Sequence, residues 1–257
     1  YFMAYNLMSG YPYFSYTLSG MVTIVMIGIP VLTMRSFADD RKTKTDQLLL
    51  TAPVSVPKMV LAKYLSMVTV FAVPVLISCL CPLIIKMNGT AYLKTDYASI
   101  LAFFLLGCVY IAIGMFISST TESQIIAAVG TFGVILLLLL WPSLVNFLPT
   151  SASGSLVGFL LLWTLCVVIL HRVTSHNLLA FVLEAAGIVA LVGAYVAKKS
   201  MFDRALVNLV EKIAVTDVFQ NFANNYIFDA GGLIYYASII FLLVFLTVQS
   251  VEKRRWS

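Results

Sequence analysis

Seven apolar runs, near residues 18–35, 58–86, 97–118, 125–148, 155–171, 178–198 and 232–250, set the limits on what this chain folds into. A helix needs about 20 consecutive apolar residues to cross a hydrocarbon core; the fifth run is the shortest of the seven. That core offers no water to a free backbone N–H or C=O, so a spanning segment must be a helix or part of a closed barrel. Barrel strands alternate apolar and polar positions over short segments, and these runs do not alternate. The chain therefore reads as all-α, a polytopic transmembrane helical bundle with about seven visible spans. Its 61% hydrophobic and 11% charged residues and mean hydropathy of +0.99 agree, because soluble domains carry about 25% charged residues. The surplus apolar surface has to face lipid. Residues 1–257 read as one transmembrane domain, with no repeat and no soluble domain.

The net charge of +5 is a topology signal rather than a nucleic-acid signal. Basic residues favour the cytoplasmic ends of spans. Placing Arg35–Lys63 inside puts ten of the sixteen Lys and Arg residues there, namely Arg35, Arg41, Lys42, Lys44, Lys58, Lys63, Arg172, Lys253, Arg254 and Arg255. Lys86, Lys94, Lys198, Lys199, Arg204 and Lys212 fall outside. The C-terminus is then cytoplasmic and Tyr1 lies outside, which implies a further span upstream of residue 1. Residues 1–17 lack the charged start of a signal peptide.

The long polar interruption Arg35–Pro57, RSFADDRKTKTDQLLLTAPVSVP, is a charged first half followed by a leucine cluster, Leu48, Leu49 and Leu50, with Pro53 as a stop. Read from its residues alone, it is either a solvated loop or a helix outside the bilayer that presents an apolar knob. Asp39 to Val54 resembles the cytoplasmic signature of ABC-2-type transporter permeases, with Lys44 where that family usually has Gly and Ala52 where it usually has Ser. Ile113–Ala127 resembles the end of the family's fourth span and its short inner loop. Leu233–Trp256 resembles the closing span and basic tail. The nearest branch is the gliding-motility-type group. The resemblance implies a coupling segment over residues 36–57. It also implies a separate ATPase subunit contacted by Asp40, Arg41, Thr45, Asp46, Leu48, Leu49, Leu50, Pro53 and Glu122. ATP and magnesium would sit on that partner, and this chain would need no cofactor. A homodimer or a related second permease, an export direction and a bacterial inner (plasma) membrane are implied as well.

No GxxxxGK[ST] phosphate loop occurs, and Gly193–Ser200 lacks the glycine before its lysine. No nucleophilic triad, carboxylate pair or HExxH motif is present, so the chain is not read as an enzyme. His171 and His176 do not share a helical face and no Cys or Asp completes a metal site; Cys79, Cys81, Cys108 and Cys166 lie in apolar runs as small hydrophobes. Glu184 is the one carboxylate within an apolar run. An intramembrane carboxylate is a functional candidate until a partner is found, and Arg172 and His176 are the partners within reach. The alternative function is accordingly an ion- or proton-coupled carrier using Glu184. The structural reading is a carboxylate that snorkels or pairs with Arg172.

Pro57 suits the first turn of its span, and mid-span Pro74 is expected to kink it. Met201–Ala214 is expected to be one amphipathic helix, with Phe202, Ala205, Leu206, Leu209, Val210 and Ile213 on the apolar face, inside an outer amphipathic segment 200–230. Asn88-Gly89-Thr90 is an outer sequon read as chance. Small residues at Ala127, Gly130 and Gly133, and at Ala186, Ala190 and Ala194, suit helix–helix packing. Few polar groups lie within the spans, which favours a lipid-like cargo or mechanical work outside.

Overall fold

The computed structural model describes residues 1–45, 55–174 and 177–255, and no strand occurs among them. Six helices are long and apolar enough to cross a membrane, and Val182–Ala197 is a shorter apolar helix. They match the seven runs of the sequence. The helices are α1 (Ser15–Thr33), α2 (Ala38–Lys42), α3 (Val56–Ser78), α4 (Cys81–Asn88), α5 (Leu93–Thr120) and α6 (Gln124–Val145). There follow α7 (Ala152–Thr174), α8 (Asn177–Ala197), α9 (Ala205–Glu211), α10 (Val215–Ala223) and α11 (Ala230–Arg255). The chain divides into two compact units, residues 1–139 with 215–257, and residues 140–214.

In the first unit α5 is the axis. Its most apolar window is 72% buried, against 39% for α1 and 22% for the spans containing α3 and α11. Those three helices and α10 all pack on it. Lipid tails are as apolar as leucine, so membrane helices associate through close packing rather than hydrophobic burial, and small residues let backbones approach. A Cβ at Gly107 would run into the Phe71 ring of α3, and one at Gly114 would meet Thr33 of α1 and Thr131 of α6. Missing side chains at these two positions admit three neighbouring helices.

The span predicted over 58–86 is divided into two helices. The helix α3 runs through Pro74 and stops at Ser78; Cys79 and Leu80 form a turn, and α4 restarts with Pro82 in its first turn. Proline lacks the N–H that would bond the carbonyl four residues earlier, and its ring crowds that carbonyl. For Pro82 that carbonyl belongs to Ser78, the last residue of α3.

The second unit is a hairpin of α7 and α8 with the short elements that follow it. Trp163 Nε1–H donates to Leu183 O at 3.2 Å, and Gly187 leaves room for that indole. The segment expected as one amphipathic helix is divided instead. A 3₁₀ turn covers Lys199–Phe202, Arg204 takes a left-handed φ of 56°, and α9 begins at Ala205. The buried side chains are Phe202, Leu206, Val207 and Ala214, while Leu209 and Ile213 are exposed. The left-handed residue rotates α9 away from the register that a continuous helix would have kept. Arg204 N–H donates to Thr150 O at 3.1 Å and Trp141 Nε1–H to Val210 O at 3.0 Å, which fixes the new register.

Candidate functional site

The polar block that follows α1 begins with a turn at residues 34–37 and the single-turn helix α2. Asp39 and Asp40 occupy its first turn and Arg41 and Lys42 its last, the order that a helix dipole favours. The first N–H groups of any helix lack partners within it. Here Ser118, one turn from the end of α5, supplies the missing acceptor. Its Oγ accepts from Phe37 N–H and Ala38 N–H, both at 3.1 Å, and donates to Met34 O at 3.1 Å. A hydroxyl on a spanning helix thus caps the helix of the polar block.

Two further ties hold α2. Lys63 of α3 forms an ion pair with Asp40, donates to Ser36 O, and lies 4.4 Å from the centre of the Phe37 ring. Gln124, at the start of α6, donates through Nε2 to Asp39 Oδ1. Helices α3, α5 and α6 therefore meet on one small helix. Arg41 is buried, Asp40 is half-buried and Glu122 stands exposed in the turn between α5 and α6. Thr45 is exposed and donates to Asp40 O at 3.3 Å. Lys44, which stands where a glycine was expected, has a left-handed φ of 59°. Asp46, Leu48, Leu49, Leu50 and Pro53 lie outside the described residues.

Glu184 is half-buried on α8, and no ion pair joins it to Arg172, which is exposed. His176 lies outside the described residues. No group of three or more His, Cys, Asp or Glu side chains suited to a metal occurs among the described residues.

The opposite end of α5 repeats the capping device with a carboxylate that the sequence reading did not single out. Asp96 is fully buried and its Oδ1 accepts from Phe14 N–H, the capping position of α1, at 2.9 Å. Three residues on, Ser99 Oγ–H donates to Phe222 O of α10 at 3.1 Å. Tyr236 of α11 holds the other side of α10, accepting from Phe219 N–H at 3.2 Å and donating to Val215 O at 2.7 Å. Above Asp96, the Tyr13 ring stacks between Tyr92 (4.7 Å) and Tyr226 (4.6 Å). Desolvation there, with the two adjacent phenols, raises the pKa of Tyr13 above its ordinary value. Asn6 braces this end, donating to Tyr11 O and Tyr13 O at 2.9 and 3.0 Å.

An all-helical fold whose described residues include six helices long and apolar enough to cross a membrane, three of them gripping the polar block, is that of a multi-pass membrane protein. The family model described as ABC-2 family transporter protein matches residues 2–247, and the chain belongs to that family. It is the membrane-spanning, permease component of an ABC transporter. Searches of curated proteins and of solved structures give no match.

Proposed function

We propose that this chain is the permease of an exporter, of the gliding-motility-type group, in a bacterial inner membrane. It works as a homodimer or beside a related permease, and a separate ATPase subunit carrying ATP and magnesium drives it. The observation that supports this reading is the Ser118 clamp. A polar loop that only joined two spans would have no need of a serine cap, a lysine ion pair and a glutamine hydrogen bond from three different helices. A segment that receives a mechanical push does need them, because a push is passed on only through a stiff joint.

In this reading the ATPase subunit seats the Leu48–Leu50 cluster in an apolar groove, with Asp40, Arg41, Thr45, Asp46 and Glu122 around it and Pro53 ending the segment. Closure of two ATPase subunits on ATP drives the two coupling segments together. Ser118 and Lys63 pass the displacement to α5 and α3. Because Asp96 and Ser99 tie the far end of α5 to α1 and α10, a tilt of α5 alters the opposite face of the bundle.

Purification of the chain from its native membrane in mild detergent, with mass spectrometry of its companions, tests the proposal. The expected result is a stoichiometric protein with a phosphate-loop ATPase signature. A clean permease that still transports, and loses transport on Glu184→Gln alone, would replace this reading with an ion-coupled carrier.

A further inference from the structure

Between α1 and α3 the first unit leaves an open cavity of about 370 Å³. Its walls are Ile24, Gly28 and Leu32 of α1 with Val70, Phe71 and Pro74 of α3, and Phe103 of α5 contributes to its floor. Both walls belong to helices of spanning length, so hydrocarbon rather than water surrounds the opening. An apolar void stays dry, and a lining with no partner atoms forfeits its dispersion contacts.

We propose that this groove is a binding site for one phospholipid, which lays an acyl chain between α1 and α3 and sets its phosphate on Arg35. Three observations choose this occupant over a helix from a second copy. Close helix pairing uses small residues four apart, whereas the residues four before and four after Gly28 are Ile24 and Leu32, both bulky. A helix with its side chains is about 10–12 Å across, whereas an alkyl chain is narrow enough to lie along a groove of about 370 Å³. Nothing lies within 4 Å of where a Gly28 Cβ would be, so the space at that point is open. Charge supplies the third observation. Arg35 stands one turn beyond Leu32, on the side of the polar block, is exposed, and has no carboxylate partner among the described residues. Lys63, the nearby alternative, is already paired with Asp40. Arg35 follows Leu32 of the groove wall by three residues in the chain, and a cation there matches a lipid phosphate beyond the end of the acyl chain. The inference rests on the spanning helices and is independent of the ATPase partner.

The test uses the whole permease in vesicles doped with a phosphatidylethanolamine that carries a photoactivatable diazirine in one acyl chain. After illumination, adducts are mapped by peptide mass spectrometry. Labelling is expected to concentrate on 24–32 and 70–74 relative to Phe241 of α11, which is 75% exposed and serves as an ordinary lipid-facing site. Gly28→Phe should abolish groove labelling and Arg35→Gln should lower it several-fold, with Phe241 labelling unchanged in both. Should Gly28→Phe fail to fold, Ile24→Trp at the rim closes the same groove and is read in its place. Groove labelling no denser than at Phe241 overturns the proposal. So does labelling that persists in a folded, plugged variant, or an Ile24→Cys disulfide joining two copies.

Discussion

Ser118 lies 81 residues from Phe37 in the chain, yet its hydroxyl accepts the Phe37 backbone N–H at 3.1 Å and that of Ala38 at the same distance. One side chain of the most buried spanning helix thereby fixes where the polar block starts. Replacing Ser118 by Ala strands two helix-terminal N–H groups. An unmade buried bond costs about 1–3 kcal/mol, so thermal unfolding in detergent should move to lower temperature. ATP-driven transport should fall further than ATPase co-purification does. Equal losses in the two would show that Ser118 only stabilises the fold.

Asp96 performs the same service for α1, its Oδ1 accepting from Phe14 N–H. A buried N–H left without its acceptor costs about 1–3 kcal/mol. Asp96→Ala should therefore destabilise more than Asp96→Asn, which keeps an oxygen for Phe14 N–H, by about 1 kcal/mol or more. Denaturant titration of the two variants beside the parent protein checks the order.

The two fully buried tyrosines of the first unit should respond in opposite ways. The Tyr236 hydroxyl makes two hydrogen bonds to α10, whereas the Tyr110 hydroxyl has none among the described residues. Tyr236→Phe removes the hydroxyl that bridges Phe219 N–H and Val215 O and should cost about 0.5–1.5 kcal/mol, while Tyr110→Phe should be neutral or stabilising. Thermal unfolding of the two single variants decides between these outcomes.

Lys44 should tolerate glycine. A left-handed conformation costs an L-residue roughly 1–2 kcal/mol, and glycine avoids this at an entropic cost of roughly 0.5–1 kcal/mol. Lys44→Gly should leave stability equal or slightly higher, and Lys44→Val should lower it. A Lys44→Gly variant less stable than Lys44→Val would contradict the assigned φ of 59°.

The fold was legible because apolar run length leaves few choices: all seven runs reappear as helices. Harder to read than the helices were the joints. Ser118, Lys63, Gln124 and Asp39 act across 23 to 85 residues of sequence, and no local period announces a pairing of that range. Asp96 was passed over because it lies one residue before the predicted start of its apolar run, so it counted as a flank; only the packing of α1 against α5 buries it. The helix α10 was missed despite a clear signal. Val215, Val218, Phe219, Phe222 and Ala223 recur at helical spacing and are all buried, but attention to 201–214 as a single amphipathic helix hid the start of a second one. The interruption at Cys79–Leu80 was not anticipated: it is Pro82 that takes away a donor at the end of α3.

The most direct test of the account is whether Leu49→Asp, placed in the leucine cluster that follows the clamped helix, still brings the ATPase subunit out of the membrane. A charge there should abolish co-purification while the variant inserts and folds as the parent does, with Glu184→Gln retaining full co-purification as a control. A folded Leu49→Asp permease that carries its ATPase at the parental yield would contradict the assignment of this block as the docking segment.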